Sequence, residues 1–193
     1  MSIPVAAVED DCAVKNLVAA FEDELNAHVA YGAYAVRADA EGLPGAASLF
    51  RATARAEQIH ANNHGRVIRQ MGCEATAEMH EIQIETTKEN LKRALTDQRF
   101  KSNSLYPLFL TEAVSLFDAT AIRSFRWALE ADKTHARLYD EAVSQMDESE
   151  KPAWACASHD FYVCALCGYT ADAPEADNCP ACNFLWAKFE VIH

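Results

Sequence analysis

Apolar positions near the start of the chain recur every three or four residues, which is the period of an α-helix. They define one face of a helix predicted over residues 14–41, a face formed by Leu17, Phe21, Leu25 and His28. The run Gly-Leu-Pro-Gly at residues 42–45 ends this helix, because glycine and proline break helical structure.

Three further long helices are predicted, over residues 46–71, 86–112 and 119–145. Gly72 is the expected stop of the first of them. Thr86 and Glu89 form a capping box that opens the next, in which Pro107 should kink the helix or end its regular part. Four helices with mostly short connections predict a mainly α fold, an antiparallel four-helix bundle.

The remaining segments divide the chain. Residues 73–85 look irregular or weakly helical, and residues 1–11 are expected to be a loose leader. We therefore predict a bundle domain over residues 12–146, a linker over 147–160 and a small C-terminal domain over 161–193.

Four cysteines near the C-terminus carry the strongest chemical signal. They form two Cys-x-x-Cys pairs, Cys164 with Cys167 and Cys179 with Cys182. Two such turns facing each other make a tetrahedral four-sulfur site that suits iron or zinc. Gly168 can supply the positive φ that a tight sulfur-bearing turn needs.

Aromatic residues around these cysteines favour iron over zinc without deciding between them. A shield against water matters more for tuning an iron potential than for a structural zinc ion. The residues expected to form the shield are Phe161, Tyr162, Tyr169, Phe184, Trp186 and Phe189.

Charge and hydropathy exclude several classes of protein. The net charge of −12 argues against binding to nucleic acid or to an anionic membrane surface. No apolar run approaches eighteen residues and no signal peptide is visible, so we expect a cytoplasmic protein without a transmembrane helix. The other cysteines, Cys12, Cys73 and Cys156, are then most simply reduced thiols.

A second candidate site lies within the predicted bundle. Glu57 precedes His60 by three residues on the second helix, and Asp132 precedes His135 by three on the last. Residues three apart share a helix face, so each acid and its histidine point the same way. Together with Glu24 on the first helix, such pairs are how bundle cores build dinuclear metal sites. A single pair of this kind would more often belong to a solvated helix face.

Two further histidines and two tyrosines lie near these residues in the sequence. His28 and His64 stand one helical turn from Glu24 and His60, and either could ligate a displaced metal. Hydrogen-bonded histidines of the core or its rim are the better interpretation. Tyr31 and Tyr106 are candidates for orienting carboxylates.

Residues 161–193 resemble rubredoxin, and the whole chain after about residue 14 resembles rubrerythrin, a ferritin-like bundle with a C-terminal rubredoxin-like domain. The matching segments are Ala20-Phe21-x-x-Glu24 with Tyr31, Ala56-Glu57-x-x-His60, Asn90-Leu91-Lys92, Leu105-Tyr106-Pro107 and residues 135–139. By this resemblance Glu24, Glu57, His60 and His135 are metal ligands. It also implies reduction of hydrogen peroxide at a di-iron site, with electrons passing singly from the four-cysteine iron. An external flavoprotein donor and a homodimer are implied as well.

Three positions depart from the rubrerythrin pattern. The third-helix carboxylates fall at Gln98 and Lys101, and the glutamate of the fourth helix is shortened to Asp132. Five carboxylates therefore become three, and an ammonium group enters. Lys101 can point inward, pair with Glu24 or Glu57 and replace a metal by a salt bridge, or it can extend outward.

These departures motivate an alternative function. The chain would then be an electron-transfer or metal-binding protein whose bundle site is degenerate, holding a single metal or none. The four-cysteine site would carry iron for electron transfer or zinc for structure.

Overall fold

In the computed structural model, which describes residues 12–116, 118–174 and 177–193, helices form the bulk of the protein. The leader expected over residues 1–11 lies outside this range. The helices are α1 (Cys12–Ala40), α2 (Pro44–Gln70), α3 (Thr87–Phe100), α4 (Tyr106–Ser115) and α5 (Ala119–Glu148). The four predicted helical segments are thus present, with ends within three residues of the predicted ones except in the third.

Helix ends follow local chemistry. Gly42 adopts a φ of 74° between α1 and α2, and Pro44 occupies the first turn of α2, where its missing N–H is not needed. The Thr86 hydroxyl accepts a hydrogen bond from the Glu89 amide at the start of α3. The Asp118 side chain caps α5 by accepting from the amides of Thr120 and Ala121.

The third predicted helix is interrupted before its proline. A π-helical turn, Lys101–Leu105, joins α3 to α4, and the Tyr106 amide donates to the Lys101 carbonyl five residues earlier. Pro107 has no N–H to donate within the helix, so the wider turn lies immediately before the position where the regular ladder would fail. The irregularity predicted at Pro107 is therefore present, and it includes Lys101.

The bundle packs α1 along α2, and α5 against α2, α3 and α4. Residues 73–86 form no regular element, as predicted, and run beside α1. There the Asn26 side chain donates to the Glu78 carbonyl at 2.9 Å and accepts from the His80 amide at 2.8 Å. These bonds satisfy the backbone of a long connection that could not satisfy itself.

The C-terminal residues form a three-stranded antiparallel sheet in the order β2-β1-β3, from β1 (Phe161–Cys164), β2 (Thr170–Ala171) and β3 (Phe189–Ile192). Tyr162 pairs with Ala171 on one side and with Val191 on the other. We call residues 161–193 the four-cysteine module. No helix in the described part of the chain is long and apolar enough to span a membrane.

The four-cysteine module lies against the bundle. The Arg55 guanidinium of α2 makes two hydrogen bonds to the Glu190 carboxylate of β3, at 2.6 and 2.7 Å. Phe161 and Val163 of β1 are buried within the apolar core of the bundle. The module is thereby held with its first cysteine turn over the face of α2 that carries His60.

Candidate metal centres

The four predicted cysteines converge. The sulfur atoms of Cys164 and Cys182 are 3.6 Å apart, and those of Cys167 and Cys179 are also 3.6 Å apart. Metal–sulfur bonds of about 2.3 Å give a tetrahedron with edges of about 3.8 Å, so these separations suit a four-thiolate metal site. They are far too long for disulfide bonds, and all four thiols are free.

Each cysteine pair is followed by a residue in the left-handed region. Gly168 has a φ of 80°, as predicted, and Asn183 has a φ of 63° at the equivalent place after Cys182. The Gly168 and Asn183 amides donate to the carbonyls of Cys164 and Cys179, at 2.9 Å in both turns. Asparagine tolerates this conformation better than most residues. An asparagine directly after Cys182 was therefore a sequence feature that could have indicated a left-handed residue in the second turn.

The apolar surroundings of the cysteines differ in part from the prediction. Tyr169, Phe184 and Phe189 pack against them as expected, and so does Trp127 from α5. Phe161 instead belongs to the bundle core, and Trp186 stacks on Phe189 with ring centroids 4.1 Å apart. Trp127 could not be found from the sequence because it comes from a distant helix.

The second centre lies inside the bundle and brings together all five predicted side chains. α1 contributes Glu24, α2 contributes Glu57 and His60, and α5 contributes Asp132 and His135; each residue is at most 1% exposed. One ligand atom from each of Glu24, Glu57, His60 and Asp132 lies within 4.8 Å of the others. His135 lies at the edge of this group, with Nδ1 3.5 Å from Glu57 Oε1 and from Asp132 Oδ1.

Lys101 points inward. Its side chain is 1% exposed, and Nζ lies 2.9 Å from Glu24 Oε2 and 2.9 Å from Asp23 Oδ2. Asp97 is more distant, with Oδ2 3.8 Å from Nζ. The inward alternative posed by the sequence is therefore the observed one, with Glu24 as the buried partner and Asp23 as an additional partner that the sequence did not reveal.

Gln98 also points into the site. Its Nε2 donates to Glu57 Oε1 at 2.7 Å and to the Tyr31 hydroxyl at 3.1 Å, and its Oε1 faces His135 Nδ1 at 3.2 Å. The side chain is fully buried. Gln98 and Lys101, where the resemblance implied carboxylates, thus both present N–H donors to the site.

The Asp132 carboxylate lacks hydrogen-bond partners inside the bundle. Both of its carboxylate oxygens are buried and have no hydrogen-bond partner. A buried carboxylate without a donor or counterion is unfavourable by several kcal/mol or more. A cation held by Asp132, Glu57, Glu24 and His60 would be such a counterion, so this donor set of oxygen and imidazole nitrogen fits a metal such as iron.

The acids in this group have strongly shifted pKa values. Burial, followed by the charge of Glu57, raises the pKa of the Glu24 carboxyl well above its usual range. Burial also acts to raise the pKa of Glu57, but the Lys101 charge and hydrogen bonds from Glu24, His135 and His60 hold it well below the usual range. Without a metal, burial and the nearby Glu57 charge therefore favour the protonated form of Glu24, whereas Glu57 stays ionised near Lys101.

His60 connects the two centres. Its Nδ1 faces Glu57 Oε2 at 2.9 Å, and its Nε2 lies 3.1 Å from the Cys167 carbonyl oxygen. Because a carbonyl can only accept, Nε2 carries a proton. Burial acts to lower the pKa of His60, but hydrogen bonds to Glu24 and Glu57 raise it well above its usual range, so without a metal Nδ1 is protonated too and donates to Glu57. A metal ion would displace this Nδ1 proton and leave the Nε2 proton on the Cys167 carbonyl. The four-cysteine module thus fixes the tautomer that a metal ligand in the bundle needs.

His135 makes a parallel contact. Its Nε2 lies 3.0 Å from the Thr170 hydroxyl oxygen, and that hydroxyl is also 3.0 Å from the Gly168 carbonyl oxygen. Thr170 is fully buried at the start of β2. Both histidines of the bundle site therefore touch the backbone or side chains that follow Cys167, and nothing in the sequence indicated Thr170.

Comparison with known proteins identifies the family. The family model described as Rubrerythrin matches residues 15–143. The chain belongs to the rubrerythrin family. The curated protein Rubrerythrin-2 of Clostridium acetobutylicum is 29% identical over 177 residues, covering 91% of this chain and 94% of that protein. Nigerythrin of Nitratidesulfovibrio vulgaris is 28% identical over 172 residues, covering 88% of this chain and 81% of that protein.

Solved structures show the same relationship. The structure titled as fully reduced, all-ferrous nigerythrin has a TM-score of 0.82 at 27% identity, covering 93% of this chain and 86% of that one. A bacterioferritin of Mycobacterium tuberculosis has a TM-score of 0.67 at 18% identity and covers 72% of this chain. At this low identity the similarity to bacterioferritin shows only the fold, a ferritin-like bundle, as predicted.

Within this rubrerythrin-family bundle, the two tyrosines orient acids. The Tyr106 hydroxyl donates to Glu24 Oε1, and the Tyr31 hydroxyl donates to Asp97 Oδ2 at 2.8 Å. Tyr106 therefore acts on a predicted ligand. Tyr31 acts on a carboxylate outside the group and receives the Gln98 amide on its oxygen.

The two extra histidines are held by hydrogen bonds to other groups. His28 Nδ1 lies 2.7 Å from the Ala54 carbonyl oxygen. His64 lies between the Tyr106 hydroxyl, 3.2 Å from Nε2, and the Ser124 hydroxyl, 2.8 Å from Nδ1. Burial, followed by the charge of His60, lowers the pKa of His64 to about 3, so this ring is neutral. Both fit the hydrogen-bonded histidines expected from the sequence.

Of the remaining cysteines, Cys73 and Cys156 are free thiols, half-buried and exposed respectively. The Cys12 side chain lies outside the described part of the structure.

Proposed function

We propose that this protein is a non-haem iron oxidoreductase that reduces hydrogen peroxide at the bundle site, with electrons supplied by iron in the four-cysteine module. The observation that carries the proposal is the His60 bridge. One imidazole presents Nδ1 to the carboxylates of the bundle and donates from Nε2 to the carbonyl of a cysteine of the other centre.

The overall reaction is balanced by two electrons. Hydrogen peroxide, two protons and two electrons give two molecules of water, and each electron comes from one ferrous ion that becomes ferric. Iron bound in the bundle would supply the redox chemistry at the O–O bond. Glu24, Glu57, His60 and Asp132 would hold that iron, with His135 at its edge.

Residues around the bundle site would stabilise negative charge and exclude water. Burial acts to lower the pKa of the Lys101 ammonium, but the charges of Asp23, Glu24 and Glu57 raise it well above its usual range, so this group stays charged. Its N–H groups lie beside Glu24, where a fixed positive charge would stabilise negative charge that develops on a departing hydroxide. The fully buried side chains around the site exclude bulk water from it.

An external flavoprotein donor, assembly as a homodimer and a cytoplasmic location are part of this proposal. They rest on the resemblance to the rubrerythrin family. Zinc in place of iron in the four-cysteine module would abolish electron delivery, because zinc has no redox chemistry.

A second candidate is favoured by the Lys101–Glu24 ion pair of 2.9 Å. In that case the bundle would hold no redox-active iron, and the module would serve as an electron carrier or as a structural metal site. The two candidates differ in whether peroxide reduction depends on the carboxylates of the bundle.

The test is steady-state peroxide consumption by iron-loaded protein with a chemical or flavoprotein reductant, under anaerobic conditions. We expect consumption without release of oxygen gas, and its loss in Glu57→Ala. Cys156→Ser, which alters an exposed thiol away from both centres, should retain the wild-type rate. Equal rates in Glu57→Ala and wild type would support the second candidate.

A further inference from the structure

We propose that Lys101 takes the place of one metal ion, so that the bundle of this protein binds a single metal beside a fixed ammonium group. The inference rests on the proposed function only for the premise that the bundle binds iron. The carboxylate oxygens of the site fall into two groups, which differ in the atoms that face them.

One half of the site is closed by N–H donors. Lys101 Nζ donates to Glu24 Oε2 at 2.9 Å, and Gln98 Nε2 donates to Glu57 Oε1 at 2.7 Å. Both donors are fully buried and both come from the third predicted helix, where two carboxylates would otherwise face the site. A cation placed there would meet an ammonium and an amide N–H at close range, and both repel it.

The other half is open. Asp132 has two oxygens without partners, and Glu57 Oε2 faces His60 Nδ1 at 2.9 Å. Glu24 Oε1 completes this half at 3.6 Å from His60 Nδ1; it also accepts the Tyr106 hydroxyl, which leaves it one further lone pair for a metal. Each atom here is one that a single iron would take as a ligand, and the four residues form the one compact donor group found within the described bundle.

The formal charge of the buried groups also favours one metal ion in the bundle. The three fully buried carboxylates of Glu24, Glu57 and Asp132 are opposed by one buried ammonium. Counting only these fully buried groups, with neutral imidazoles, the net charge is −2, which one divalent ion neutralises; Asp23 and Asp97, which also face Lys101, are partly exposed to solvent. A second divalent ion would leave a buried excess of positive charge, which is strongly unfavourable.

Lys101 is fixed in its position. Asp23 binds the same Nζ from the rim at 2.9 Å, and Asp97 lies at 3.8 Å, so the ammonium is held by acids from two helices. Its place in the π-helical turn that follows α3 directs the side chain inward between α1 and α3. To withdraw when iron enters the open half, the lysine would have to break its ion pairs with Glu24 and Asp23.

The test is native mass spectrometry of the full chain after anaerobic loading with ferrous iron, which counts irons directly and needs no turnover. We expect two irons per wild-type chain, one in the four-cysteine module and one in the bundle. The double variant Gln98→Glu, Lys101→Glu should bind three. Lys133→Glu makes a similar charge change at an exposed lysine of α5 and should stay at two.

A second variant keeps the test decisive if the double variant does not fold. Lys101→Met removes the charge at similar length and leaves the Gln98 amide in place. It should still bind one iron in the bundle, about tenfold or more tightly than wild type in competition with a ferrous chelator, because a neighbouring positive charge is gone. An unchanged or weaker affinity would overturn the role assigned to Lys101.

Three irons in the wild-type chain would overturn the inference, as would a single iron confined to the module at saturating concentration. These outcomes are separable from those of the proposed function. A chain with one bundle iron and no peroxide turnover would defeat the function and leave the single-metal site standing. A chain with three irons and full peroxide turnover would support the proposed function and contradict the single-metal site.

Discussion

His60 Nε2 and the carbonyl oxygen of Cys167 lie 3.1 Å apart, and this contact joins a helix of the bundle to the first cysteine turn. The next residue, Gly168, lies directly over the imidazole. A Cβ atom added at Gly168 would lie 2.4 Å from His60 Nε2 and 3.1 Å from the Ala56 carbonyl oxygen. The close approach of the two centres therefore depends on a residue without a side chain.

Gly168→Ala should separate the centres. The added methyl group clashes with the ring and the α2 backbone, so the turn must move away from the bundle and the His60–Cys167 hydrogen bond must break. We expect oxidation of the module iron by peroxide to slow by about tenfold or more, as when an orienting partner of a metal ligand is lost. Stopped-flow absorbance of the ferric-thiolate bands measures this rate.

Gly72→Ala is the matched control. Gly72 has nearly the same φ, 83°, but an added Cβ would meet nothing within 4 Å. It shares the backbone strain of the first variant without the clash, so its oxidation rate should equal that of wild type. A normal rate in Gly168→Ala, with its visible spectrum intact, would show that this contact does not couple the centres.

Tyr106→Phe should weaken metal binding in the bundle. The variant removes the hydroxyl that donates to Glu24 Oε1 and so frees that carboxylate to turn. We expect the bundle affinity for ferrous iron to fall by about tenfold. The free energy of unfolding should fall by about 1–2 kcal/mol. Chelator competition and urea denaturation measure the two effects.

Tyr139→Phe provides the comparison for that variant. Tyr139 is also fully buried, but its hydroxyl bonds to Thr53 at 2.5 Å, away from the predicted ligands. It should lose similar stability and keep its iron affinity. If both variants lost affinity equally, the effect of Tyr106 would be general loosening of the core.

His64 should make the protein sensitive to acid. Its folded pKa of about 3 lies below the usual 6.5, so between these values the unfolded chain binds a proton that the folded chain does not. Stability contributed by the neutral ring is complete above pH 6.5 and is lost as pH falls towards 3. The slope is about 1.4 kcal/mol per pH unit, giving up to about 5 kcal/mol.

His64→Gln should lack this component of the acid response. Urea denaturation from pH 7 to pH 3.5 should show a shallower loss of stability in the variant than in wild type. His80→Gln replaces a histidine whose side chain is 67% exposed, and its curve should parallel that of wild type. Parallel curves for His64→Gln would contradict a buried, neutral His64.

Much of this architecture follows from local sequence. Periodic apolar positions and breaker residues set the helices, and the spacing of Cys164, Cys167, Cys179 and Cys182 sets the module, because each signal acts over a few residues. The pairs Glu57–His60 and Asp132–His135 likewise share helix faces by spacing alone.

Other features depend on residues that meet only in the fold. The direction of Lys101 is decided by Asp23, Glu24 and Asp97, which converge on Nζ from two helices. The sequence allowed the lysine either to enter the core or to reach solvent. Trp127 and Thr170 were missed for the same reason, since each acts across the contact between bundle and module.

The proposed function requires that electrons of the module iron reach peroxide only through the bundle. Its most direct test mixes fully reduced, iron-loaded protein with hydrogen peroxide and follows the ferric-thiolate absorbance, in wild type and in Asp132→Ala. We expect fast oxidation of the module iron in wild type and slow, non-specific oxidation in the variant, in which the four cysteines are unchanged. Equal rates in the two proteins would contradict it.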